Sequence, residues 1–243
     1  MSGTMEARGV LELVDLTLLD RSASEDDLAS ICRVANEHGT AAVCVFPEHA
    51  RVVRDLLEEG VALAVVAGGF PEGSESPEEI SIAIENAVSS GADEIDCVLE
   101  PRESSSFPGQ QELANLLAMR ESSSGLVLKV IVESPMLEER QLRAVTRMAL
   151  STGADFVKSC TGKRGSCSDE HAEILADEVS RHCLSFEGSP GVKLSGGISR
   201  REDAERLVGL VMSRDESISG TGRLRIGASS LVDDIVSGGL GRN

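Results

Sequence analysis

Gly91-Ala92-Asp93-Glu94-Ile95-Asp96 and Gly153-Ala154-Asp155-Phe156-Val157-Lys158 are near copies of each other, and this pair decides how the chain is read. Each opens with a glycine suited to leaving a helix and runs directly into a β-type stretch carrying an ionisable residue, Asp96 or Lys158, at the equivalent position. A helix-to-strand junction used twice implies a fold assembled from like units. Outward from the pair, β-rich apolar runs and helical patterns alternate, with strands expected at 11–16, 41–46, 61–67, 94–99, 126–133, 156–159, 191–194 and 224–226. Helix starts are marked by Ser24 before Glu25, Asp26 and Asp27 and by Ser76-Pro77; helix ends are marked by His38-Gly39, Ser90-Gly91 and Thr152-Gly153. Eight strand-helix passes in 243 residues are the sequence form of an α/β protein, a (β/α)8 TIM barrel with all strands parallel. The loops expected at 104–109 and 213–222 are too short for linkers. The expectation is one domain over 1–243, with about ten flexible N-terminal residues.

Composition excludes several classes of function. A formal charge of −18 cannot furnish the basic stripe that a nucleic-acid surface needs. The longest apolar-rich run, 61–70, is too short to span a bilayer, and the N-terminus has no signal-peptide core, so a cytoplasmic protein is expected. Six cysteines without C-x-x-C spacing suggest reduced thiols rather than a zinc site or disulfides. His38, His49 and His182 have no metal-ligand spacing with one another and read as ordinary surface residues.

Chemistry is concentrated in the lysines. The chain has four of them, Lys129, Lys158, Lys163 and Lys193, against nineteen arginines. An arginine stays charged, whereas a lysine amine can be tuned to attack a carbonyl. Lys158 and Lys193 fall on neighbouring expected strands about 4.8 Å apart, so Lys193 is a natural second cation to lower the pKa of Lys158. The same placement also suits plain buried ion pairs of both lysines with Asp96 or Glu133. Asp96, one face of its strand, could relay protons through water; Asp15, in another apolar strand, suits either substrate positioning or capping. Three turns after strands, Thr161-Gly162-Lys163, Ser195-Gly196-Gly197 and Gly227-Ala228-Ser229-Ser230, could cradle a phosphate on backbone N–H groups.

Together these motifs resemble the deoxyribose-phosphate aldolase family of class I aldolases. The matching stretches run in family order: Val14 to Leu19, Ala42 to Val45, Gly69 to Gly73, Gly91 to Asp96, Leu128 to Glu133, Phe156 to Lys158, Gly191 to Gly197 and Arg225 to Ser230. The resemblance implies reversible cleavage of 2-deoxy-D-ribose 5-phosphate to D-glyceraldehyde 3-phosphate and acetaldehyde, with no metal and no cofactor. It implies Lys158 as the Schiff-base lysine, Lys193 as the group lowering its pKa, and Asp96 as the acid/base. Thr161, Gly162, Lys163, Gly196, Gly197, Gly227, Ser229 and Ser230 would hold the phosphate, and Asp15, Thr17 and Cys44 would line the substrate pocket. A homo-oligomer, dimer or tetramer, is expected, with a phosphorylated sugar as the only other partner. Other readings are a class I aldolase for another sugar phosphate and a catalytically silent phosphosugar-binding barrel. Where family members carry an asparagine or a proline-tyrosine-arginine stretch after the fourth strand, this chain has Glu100 to Ser105 followed by a helix expected to be short, and it ends Gly241-Arg242-Asn243 without a tyrosine.

Acidic surplus with scarce lysine is produced by salt adaptation and by other compositional drift. If salt adaptation is the cause, the thermal unfolding midpoint rises steeply between dilute buffer and molar salt; a flat response in calorimetry assigns the composition to drift.

Overall fold

The computed structural model describes residues 7–74, 76–100 and 106–238. In chain order the elements are α1 (Ala7–Glu12), β1 (Val14–Leu18), α2 (Glu25–His38), β2 (Ala42–Val45), α3 (Pro47–Leu56), β3 (Ala62–Ala67), α4 (Pro77–Ser89), β4 (Glu94–Val98), α5 (Gln110–Ser122) and β5 (Val127–Ile131). They continue with α6 (Glu139–Ser151), β6 (Phe156–Lys158), α7 (Asp169–Ser185), β7 (Gly191–Ser195), α8 (Arg201–Arg214), β8 (Leu224–Ala228) and α9 (Leu231–Ser237). The strands form a closed parallel barrel in sequence order, sealed where Asp15 of β1 lies in register with Gly227 of β8.

The repeated junction is a repeated device. Asp93 accepts hydrogen bonds from the Leu63 N–H at 2.8 Å and Arg54 at 2.6 Å, tying the entry of β4 to β3 and α3. Asp155 does the same one repeat further on, accepting from the Leu128 N–H and from Arg120, both at 2.8 Å, and so tying the entry of β6 to β5 and α5. Gly91 (φ 93°) and Gly153 (φ 92°) make the left-handed turns that swing each aspartate into place. Helix starts follow the sequence signals: Ser24 and Asp27 form a capping box, and Ser76 accepts from the Glu79 N–H ahead of Pro77.

Strand alternation divides the core in two. Outward residues such as Val43, Leu63, Ile95, Leu128, Val192 and Ile226 pack under the helices. Inside the barrel, the β2–β3 side is apolar, with Ala42, Cys44, Ala64 and Val66 clustered with Val98, Ile131, Phe46 and Phe70. The other side is ionic: Asp15, Glu94, Asp96, Lys129, Lys158, Lys193 and Arg225 are all buried.

Several expectations are corrected. Residues 11–13 do not open the first strand. Leu11 belongs to α1 and Leu13 to the turn after it, because the apolar residues Val10, Leu11 and Leu13 are buried where α1 packs beside α2, α8 and α9. Residues 7–12, partly within the stretch expected to be flexible, form α1, and residues 1–6 lie outside the described residues. Helix α5, expected to be short, has 13 residues. His49, expected on the surface, is buried, with a ring nitrogen 3.0 Å from the Asp20 carbonyl. The altered segment 101–105 and the C-terminal end 239–243 lie outside the described residues.

Because the two junction aspartates make equivalent bonds, Asp93→Ala and Asp155→Ala should each cost about 1–2 kcal/mol of stability, adding nearly independently in the double variant. Urea denaturation of the three proteins checks this.

Candidate active site

At the C-terminal ends of β1, β6, β7 and β8 a cleft of about 400 Å³ opens, lined by Thr17 to Asp20, Lys158, Thr161 to Lys163, Ser195 to Ser199 and Gly227 to Ser230. Lys158 is its floor. Cross-strand register sets Lys158 directly beside Lys193 and Asp96 beside Lys129. These side chains, with Asp15, meet in the barrel interior.

The geometry centres on Asp96. Its Oδ2 accepts from the Lys158 ammonium at 2.7 Å and from the Lys193 ammonium at 2.6 Å, while Oδ1 lies 3.2 Å from Lys129 Nζ. Asp15 sits one level lower and joins Lys193 (2.5 Å), Lys129 (2.6 Å) and Arg225 (2.7 Å). Lys129 also contacts Glu94, which pairs with Arg225 at 3.0 Å. Burial would raise the pKa of Asp96, but Lys129, Lys158 and Lys193 hold it well below the usual carboxylate range. Asp15 is likewise depressed, its burial outweighed by Lys129, Lys193 and Arg225. Burial pulls Lys158 down, yet Asp96 at ion-pair distance overrides it, and the resting amine sits above the ordinary lysine value. The sequence-based expectation of a depressed Lys158 therefore does not describe this resting arrangement: the neighbouring lysine arrives with a shared carboxylate between the two. Burial, then Asp96, pushes the Cys44 thiol up to about 11.

Around the cleft the loops are laced together. The Ser195 hydroxyl donates to the Cys160 carbonyl at 2.6 Å, and the Ser159 hydroxyl donates to the Ser195 carbonyl at 3.0 Å. Gly196 (φ 92°) and Gly197 (φ 77°) are left-handed, and a Cβ on them would lie 2.5 Å from Cys160 Sγ and 2.6 Å from Ser166 Oγ, so only glycine lets these loops close on each other. Buried Glu133, itself left-handed at φ 51°, accepts from the Thr161 N–H (3.1 Å), the Thr161 hydroxyl (2.8 Å) and Arg164 (3.2 Å). Arg164 also donates to the Pro71 carbonyl at 2.6 Å. Glu133 is thus the anchor of the 161–164 loop and not a lysine partner.

Of the residues singled out in the sequence, Lys158, Thr17, Thr161, Gly162, Lys163, Gly196, Gly197, Gly227, Ser229 and Ser230 line the cleft, and Lys193 and Asp96 lie immediately beneath it. Asp15 and Cys44, expected to line the pocket, do not. Thr17 and Leu18 of β1 reach the cleft; Asp15, two residues below Thr17 on the same face of the strand, is drawn into the ion cluster. Cys44 is fully buried in the apolar half, its thiol 4.0 Å from Asp96 Oδ2. Lys129, Glu94 and Arg225 were missed as members of the cluster, although each is a charge inside an apolar strand, and that was the available signal. Asp20 and Ser199, also on the cleft wall, carried no motif.

A family model described as DeoC/LacD family aldolase matches residues 10–233. A deoxyribose-phosphate aldolase of Corynebacterium jeikeium is 36% identical over 78% of this chain and 84% of its own. One from Finegoldia magna is 31% identical over 89% of this chain and 94% of its own. Among solved structures, a tetrameric deoxyribose-phosphate aldolase from Aeropyrum pernix superposes with a TM-score of 0.77 at 27% identity, covering 95% of this chain and 91% of that one.

Proposed function

The chain belongs to the DeoC/LacD aldolase family, and from that premise we propose that it is a deoxyribose-phosphate aldolase working through a Schiff base on Lys158. The observation that carries this reading is the position of the Lys158 amine, which is at once the floor of the open cleft and 2.7 Å from a buried carboxylate. Its substrate is 2-deoxy-D-ribose 5-phosphate and its products are D-glyceraldehyde 3-phosphate and acetaldehyde.

An amine can attack only after losing its proton. Lys193 competes for the same Asp96 oxygen, so Lys158 can leave its ion pair without stranding the carboxylate. Once turned toward a carbonyl in the cleft, Lys158 keeps the cost of burial and the nearby cations while losing its counter-charge, and both push its proton off. Attack on C1 and loss of water give the protonated imine. The C3 hydroxyl then gives up its proton to Asp96 through water, the C2–C3 bond breaks, and its electron pair flows into the imine to leave an enamine. Protonation at C2 and hydrolysis release acetaldehyde and restore the amine. Thr161, Gly162, Lys163, Gly196, Gly197, Gly227, Ser229 and Ser230 hold the phosphate end, with Lys163 as the local positive charge that an anionic substrate needs on a chain of charge −18. Thr17, held by its hydroxyl bond to the Asp15 carbonyl, faces the sugar, and Asp15 acts from below by holding Lys193. A cytoplasmic homo-oligomer is part of this reading. Six free cysteines, four of them buried, suit a reducing compartment. Among the described residues no helix is long and apolar enough to cross a membrane.

Incubation with 2-deoxyribose 5-phosphate and borohydride should add the mass of a reduced adduct to the wild-type protein and none to Lys158→Arg, which keeps the charge but forms no imine. A folded wild type without an adduct removes the aldolase reading and leaves a phosphosugar-binding barrel. Acetaldehyde among the products separates this substrate from a longer sugar phosphate. Asp96→Asn should take away the counter-charge that holds Lys158 protonated: adduct formation moves to lower pH, while cleavage turnover falls by about 10²–10⁴-fold for want of the acid/base. Stopped-flow trapping and steady-state assays read the two effects separately.

A further inference from the structure

The ion pairs beneath the cleft form a column that crosses the whole barrel. Its upper end is Lys158 in the cleft; its lower end is Arg225, which lines a second cavity of about 600 Å³ beside Phe156, Thr221 and Gly222. Between them stand Asp96 and Lys193, then Asp15, Lys129 and Glu94, each touching the next by an ion pair.

Four cations thus face three carboxylates, so the column carries one positive charge in excess and becomes neutral by losing a single proton. Arg225 cannot release one. Lys129 touches three carboxylates, Lys193 two and Lys158 one, so Lys158 is held least and alone of the three faces the cleft. The Cys44 thiol from β2 also lies near its amine, and Lys163 and Asp20, which line the same cleft, carry opposite charges and leave the balance to the column.

We propose that Glu94, Lys129 and Arg225 are positioning residues that set, from the far side of the barrel, the pH at which Lys158 becomes a free amine. They touch no substrate; they act through Asp96 and Asp15 by fixing how many positive charges the column holds. This inference rests on the Schiff-base reading of Lys158. In a buried network a unit charge about 10 Å away moves a titration by roughly one pH unit.

Charge balance and structural support predict different things for buried variants. Glu94→Gln, nearly identical in shape, leaves the column more positive, so the acid limb of borohydride-trapped adduct formation with acetaldehyde should fall by roughly one pH unit. Arg225→Met leaves it less positive, and the limb should rise by a similar amount. The double variant restores the original balance and should return to the wild-type limb. Limbs that move the same way in both single variants, or do not move in folded protein, overturn the proposal. Should Arg225→Met not fold, Glu94→Gln and the double variant decide between the same outcomes. A wild type that forms no adduct at any pH would fail the aldolase reading instead. The column would still be read from the side-chain nitrogen resonances of ¹⁵N-lysine-labelled protein, where four lysines give four signals. The Lys158 signal, identified by its loss in Lys158→Arg, should titrate at lower pH in Glu94→Gln than in wild type, and an unchanged titration overturns the proposal.

Discussion

Asp96 shared between Lys158 and Lys193 is the contact on which the rest of this barrel depends. Taking an ion out of water costs several kcal/mol even after relaxation, so a buried lysine stays charged only where carboxylates meet it at good geometry. Here the requirement spreads: Asp96 needs two lysines and approaches a third, the third needs Glu94, and Glu94 needs Arg225. The ionic side of the barrel interior is thus one connected network rather than a set of separate pairs. The apolar side then makes room with small residues, Ala42, Cys44 and Ala64. Gly227 belongs to the same accommodation, since a Cβ there would stand 3.2 Å from the Lys193 stem and 3.1 Å from Ser195.

The cleft inherits its shape from that floor. Lys158 and Lys193 lie in register on β6 and β7, and the loops leaving those two strands close on each other through Ser159, Cys160, Ser195 and the glycine pair. Glu133 holds the front of the β6 loop from β5, spending a left-handed backbone on a non-glycine residue to do so. Such a conformation costs of order 1–3 kcal/mol and persists only where its bonds over-determine it; Glu133 makes three. On the proposed Schiff-base reading, a closely laced rim over a charged floor suits a reaction whose reactive group is turned by a small motion of one side chain.

Much of this was legible in the chain. Strand periodicity and the doubled Gly-Ala-Asp junction were enough for the barrel, because both are local signals and the junction aspartates act on adjacent repeats. Scarcity of lysine pointed to Lys158 and Lys193, and strand order made them neighbours. What stayed hidden was non-local. Lys129 meets Asp15 across 114 positions and Arg225 meets it across 210, contacts that exist only once eight strands have closed with a definite stagger. The resemblance places Asp15 in the pocket, and the sequence offers no correction, because parity gives the face of a strand but not the depth along it. The first strand was placed too early because the apolar residues of α1 carry no period long enough to separate a two-turn helix from a strand.

The distribution of amines has a practical side. Of the four lysines, all among the described residues, three are buried and only Lys163 is exposed, at the rim of the cleft. Lysine-directed labels, surface couplings and cross-linkers that would decorate an ordinary protein everywhere find their one exposed lysine on this one at the mouth of its own cleft. Attachment through that lysine then obstructs the cleft, and a support or probe that must leave the cleft open is better joined through carboxylates, with which the exterior is abundantly supplied.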